Sequence, residues 1–130
     1  MRTRTFRLNK LVRDKIVQYH LDMGDAKYKT LKDSELTNAL LKKLVEEAAE
    51  LKNSDLSVGE LVDLQELVDA LAAHLKVSKK DLSARQAEKR QVNGGFKKGH
   101  FIDTVTLPAD NKWAKYYAAD PKRFPEIKNG

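Results

Sequence analysis

The residues best suited to chemistry in this sequence are acidic and clustered. Glu46-Glu47-Ala48-Ala49-Glu50 is followed by a turn-forming Asn53-Ser54-Asp55 and then by Glu60-Leu61-Val62-Asp63. Residues three apart share a helix face, so Glu47 points with Glu50 and Glu60 with Asp63. In an antiparallel helical hairpin that turns at residue 55, Glu50 faces Glu60 and Glu47 faces Asp63. Carboxylates brought that close repel one another unless a cation neutralises them. Oxygen ligands without His or Cys suit Mg²⁺, or Mn²⁺, better than zinc. Three other uses of these acids compete. The hairpin could be a solvated acidic face. Ser57-Val-Gly-Glu60 has the spacing of a capping box, which would turn Glu60 back to the helix start. Glu66-Leu-Val-Asp69 is a second pair of the same form, with a hairpin midpoint at residue 58, past the turn cluster.

The elements that must position these acids follow from apolar spacing. Leu8, Val12, Ile16, Tyr19 and Met23 predict a first helix after Asn9, a good N-cap, with Gly24 as its stop. Residues 25–32 read as a loop or a short extended piece. Asp33 or Ser34 can cap a second helix carrying Leu36, Leu40, Leu44, Ala48 and Leu51 on one face. A third helix, opening at Ser57, carries Leu61, Leu64, Val68, Leu71 and Leu75. Ser78, with Asp81 three residues on, caps a fourth that ends near Gly94-Gly95. Phe101, Val105 and Leu107 alternate, which predicts a short extended segment before Pro108. Residues 111–119, with Trp113, Tyr116 and Tyr117, predict one more short helix. The expected fold is all-α: an antiparallel bundle of about four helices over 1–102. A short extended and helical appendage over 103–130 would pack on the bundle or on a partner subunit.

Composition narrows the function classes. The chain has 130 residues, no Cys and a formal charge of +6. Zero Cys excludes a disulfide scaffold, a thiolate zinc site and thiol catalysis. No apolar run approaches a membrane span. No apolar stretch follows the basic N-terminus, so no signal peptide is expected and the expected location is the cytoplasm. The charge is unevenly divided: +6 over residues 1–45, −7 over 46–69 and +7 over 70–130. A compact acidic block between basic flanks suits a metal-bridged polyanion. It disfavours a nucleic-acid duplex, which the block would repel, and no aromatic interleaves the basic clusters. His20, His74 and His100 have no motif spacing and read as structural or surface residues. Gly94-Gly95 reads as a helix C-cap before it reads as a phosphate-binding turn.

EExxE followed by ExxD, as in Glu46-Glu47-Ala-Ala-Glu50 and Glu60-Leu-Val-Asp63, resembles the signature of the MazG-like all-α nucleoside triphosphate pyrophosphohydrolases. Asn9-Lys-Leu-Val-Arg-Asp-Lys-Ile16 resembles the opening of the phosphoribosyl-ATP pyrophosphohydrolase-like house-cleaning branch. Lys89-Arg-Gln-Val-Asn-Gly-Gly-Phe-Lys-Lys98 resembles its ending. The resemblance covers roughly residues 8–102 and implies a Mg²⁺-dependent enzyme that cleaves a nucleotide between its α and β phosphates. It implies metal ligands Glu47, Glu50, Glu60 and Asp63, with Glu46 orienting water or supporting a ligand. The segment between Glu50 and Glu60 is shorter than usual for MazG itself, and Glu66 with Asp69 would restore a longer one. The residues after Asp63 fit the branch better with Asp63 as the motif aspartate. Homo-oligomers are common in the superfamily, so a homodimer or larger is expected. Within such an enzyme Glu46 or Glu47 would activate water. Lys10, Arg13, Lys15, Lys89, Arg90, Lys97 and Lys98 would hold phosphate, with Asp14 a possible structural partner for Arg13. The alternative is a non-catalytic nucleotide-binding or assembly module of the same fold.

Overall fold

A computed structural model describes residues 2–128. It has five α-helices: α1 (Ile16–Met23), α2 (Asp33–Asn53), α3 (Val58–His74), α4 (Lys79–Asn93) and α5 (Lys112–Ala118). No strand occurs among the described residues, so the fold is all-helical. The chain divides into two compact units, Met1–Asn93 and Gly94–Gly130. No described helix is long and apolar enough to cross a membrane.

The first unit is built on the hairpin of α2 and α3. The Thr37 hydroxyl near the start of α2 lies 2.6 Å from His74 Nε2 at the end of α3, which fixes the antiparallel sense. His74 is thus structural, as read. Leu40, Leu67 and Ala72 are the buried apolar side chains. The predicted face of α2 is oriented largely as expected, with Leu40 buried and Leu36, Leu44 and Leu51 half-buried, but Ala48 is exposed. The face of α3 is only partly so: Leu64 and Leu71 are half-buried, Leu61, Val68 and Leu75 are exposed, and Leu67 and Ala72 are the buried residues. Polar and apolar residues are interleaved round this helix, so spacing alone does not select its inner face.

Both helices of the hairpin end with the long bond of a Schellman turn. Only α3 adds the shorter one, from Lys76 N–H to Ala73 O, and after α2 Leu56 is left-handed too, with φ 60°. Asp55 and Lys76 each adopt a left-handed backbone, with φ of 56° and 61°. The N–H of Leu56 then donates to Leu51 O and that of Val77 to Ala72 O. These are the bonds of a Schellman motif, which usually places Gly at the left-handed position. The turn cluster Asn53-Ser54-Asp55 therefore ends α2 where the sequence places the hairpin. Ser57 makes no side-chain capping bond, so its part of the predicted capping box is unformed. Ser78 does cap the next helix, its Oγ accepting from the Asp81 N–H at 3.1 Å.

Within this unit α3 also packs against α4, and no other pair of its helices packs together. The first helix starts later than predicted. Asn9 has φ 47°, which is not N-cap geometry, and residues 9–15 are irregular up to Ile16. A helix opening at Asn9 would place Lys10 and Arg13 in its first turns, against the positive end of the helix dipole. Arg13 is instead drawn away to an acid on α3.

The second unit contains α5, which Asn111 caps by accepting from the Trp113 N–H at 2.8 Å. Trp113, Tyr116, Tyr117 and Phe124 cluster edge to face and stacked. The segment 101–107 forms no strand, contrary to the alternation read there. A strand needs a neighbour to pair its backbone, and none is present in the described unit. The residue-102 boundary expected from sequence falls inside this unit.

Candidate metal centre

Glu47 on α2 and Glu60 and Asp63 on α3 each place a carboxylate oxygen within 4.8 Å of the others. The positions follow from the helices. Glu60 and Asp63 are one turn apart on the first turns of α3, and the turn at 54–57 brings them opposite Glu47. Glu47 is 9% exposed, the one buried charged residue among those described. Its Oε2 is buried without a hydrogen-bond partner. Its Oε1 lies 3.6 Å from Lys43 Nζ, one turn earlier on the same helix. A buried carboxylate oxygen with nothing to accept from is costly, and a cation at this oxygen would offset that cost.

The electrostatics agree. Glu60 is pushed up from its ordinary carboxyl value, first by partial desolvation and then by the neighbouring charges of Glu50, Glu47 and Asp63. Each of these disfavours a second negative charge in the cluster. Glu50 thus acts on Glu60 electrostatically but stands outside the close trio. Asp63 is held from elsewhere: Arg13 Nη2 donates to its Oδ1 at 2.7 Å. The partner of Arg13 is therefore Asp63, on the far side of the unit in sequence, and not the adjacent Asp14.

A divalent cation has oxygen ligands at roughly 2.0–2.6 Å. Three oxygens separated by up to 4.8 Å can share one such ion after small side-chain rotations. An all-carboxylate set with one unpartnered buried oxygen fits a hard cation. Glu66 is exposed, and Asp69 accepts from Gln65 Nε2 at 3.1 Å and lies 3.9 Å from Lys79 Nζ. The pair Glu66 and Asp69 is thus outside the trio, and Asp69 ties α3 to the start of α4. Glu46 is exposed, one residue and about 100° around the helix from Glu47.

The basic candidates are dispersed. Lys10 and Lys15 are exposed in the irregular segment that also carries Arg13. Lys89 and Arg90 are exposed near the end of α4, and Lys97 and Lys98 are exposed in the second unit. None of these six pairs with a described acid. Lys43 is the functional neighbour that spacing arguments overlooked, although Lys43 and Glu47 sit at i and i+4 in plain view. Set against family models, characterised proteins and solved structures, the chain matches none.

Proposed function

We propose that this protein is a Mg²⁺-dependent nucleotide pyrophosphohydrolase of the MazG-like kind. The observation that carries the reading is the trio Glu47, Glu60 and Asp63, with Glu47 buried and its Oε2 unpartnered. Glu47, Glu60 and Asp63 would hold the cation, and Glu50 would add charge to the same face. Bound Mg²⁺ supplies charge neutralisation at phosphate oxygens and makes nearby water more acidic. Glu46 or Glu47 takes a proton from the attacking water as a general base. The bond between the α phosphorus and the bridging oxygen to the β phosphorus breaks, giving a monophosphate and pyrophosphate. Arg13, Lys10 and Lys15 of the segment before α1, with Lys89 and Arg90 of α4, would hold the phosphates. Arg13 is best suited to the polyphosphate because its fork binds two oxygens at once.

A second copy of the chain completes the fold in this reading. Val45 and Val62 on the hairpin are 70% and 56% exposed, and Leu61 is outward too. Two hairpins laid together would bury these side chains and make a four-helix antiparallel bundle. The proposed location is the cytoplasm, where Mg²⁺ and nucleotides are available. The test is pyrophosphate release from a panel of nucleoside triphosphates, with and without Mg²⁺. Mg²⁺-dependent release is expected. Tight nucleotide binding without release would support the non-catalytic module instead.

A further inference from the structure

We infer that Arg13 occupies the place of the cation at Asp63 when the site is empty and is handed to phosphate when a cation arrives. The inference rests on the metal reading above and concerns how the same site is regulated. Arg13 Nη2 and Asp63 Oδ1 are 2.7 Å apart, and Asp63 is one of the three acids whose oxygens lie within 4.8 Å. Apart from Lys43, which pairs with Glu47, Arg13 is the one cation that touches this trio among the described residues. The pair is well solvated, with side chains 53% and 44% exposed. Exposed ion pairs are weak and readily exchanged. A divalent ion adds twice the charge of a guanidinium at the same oxygens and outcompetes it there. Arg13 lies in the irregular segment before α1, where its carbonyl accepts from the Ile16 N–H at 3.0 Å while its exposed side chain is free to turn. Once displaced, its fork is free for the next strong acceptor, and a polyphosphate at the cation supplies one. Cation binding thereby readies the phosphate clamp, and phosphate binding in turn favours the cation, because such coupling is reciprocal.

The experiment titrates Mn²⁺ alone and inorganic tripolyphosphate, followed by electron paramagnetic resonance of free Mn²⁺ and by calorimetry. It uses wild type, Arg13→Ala, Asp63→Asn and the double variant, each checked for helix content. Arg13→Ala is expected to bind Mn²⁺ about two- to five-fold more tightly, the range set by an exposed pair. It is expected to bind tripolyphosphate in the presence of Mn²⁺ at least about ten-fold more weakly. In the Asp63→Asn background, Arg13→Ala is expected to leave Mn²⁺ affinity unchanged, since the competition runs through that carboxylate. Mn²⁺ binding that is equal or weaker in Arg13→Ala overturns the inference, as does the same gain in both backgrounds, which would be a diffuse charge effect. Wild-type protein that binds no Mn²⁺ at millimolar concentration overturns the metal reading itself, a result distinct from either.

Discussion

At the level of single residues, the site is a balance of repulsion and partners. Glu60 keeps its proton to higher pH than an ordinary carboxyl because Glu50, Glu47 and Asp63 surround it and its solvation is reduced. The sign of its effect on stability follows. The folded state binds this proton more tightly than the unfolded chain, so stability contributed by Glu60 is present near and below the ordinary value of 4.5 and is lost as pH rises through the folded value. Glu60→Gln removes the charge and keeps the shape. Without divalent ions the variant is expected to melt higher than wild type at neutral pH, with the gap closing as pH falls toward the ordinary value; thermal melts at several pH values read this directly. A wild type that melts higher at neutral pH would show that the acids are not repelling. The gathering of Glu47, Glu60 and Asp63 was legible because helical spacing and a turn at residue 55 fix it locally. The bond from Arg13 to Asp63 was not legible: the two are fifty positions apart, and no local pattern encodes such a contact.

Secondary-structure elements set how firmly that balance is held. Leu40 and Leu67 are the large buried side chains of the α2–α3 hairpin. Leu40→Ala is expected to cost about 2–3 kcal/mol, seen as a lower urea midpoint at unchanged slope. The Schellman turn after α3 offers a gain in the other direction. Lys76 holds φ 61° without being glycine, while the Lys76 and Val77 N–H groups close the helix at 3.0 and 2.8 Å. Left-handed backbone costs an ordinary residue about 1–2 kcal/mol, so Lys76→Gly is expected to stabilise the chain by roughly 1 kcal/mol. Helix boundaries were readable where a capping or turn residue marked them, as at Ser78 and Asn53-Ser54-Asp55. They were not readable where a non-glycine residue does glycine's work, as at Lys76, or where a favourable N-cap such as Asn9 is followed by cations that oppose the dipole. The inner face of α3 was hidden for a further reason: Leu61, Leu64, Leu67, Val68 and Leu71 form one stripe about 120° wide at about 100° per residue, and packing against α2 decides which part of it turns in.

On the scale of the whole molecule, the hairpin alone buries little apolar surface, and the proposed second copy supplies what is missing. Val45→Glu with Val62→Glu places like charges where two hairpins would meet. Sedimentation velocity is expected to show a dimer or larger species for wild type and a monomer for this variant; a wild-type monomer at micromolar concentration would remove the second copy. The central claim, that the two helices meet in order to hold a divalent cation, has a more direct test. Mn²⁺ is titrated into the intact protein and into Glu47→Gln, which keeps the buried side chain's size while removing its charge. Wild type is expected to bind the ion, with Glu47→Gln at least about ten-fold weaker and Glu66→Gln with Asp69→Asn close to wild type. Equal binding by wild type and Glu47→Gln, or loss of binding on changing Glu66 and Asp69 alone, would contradict it.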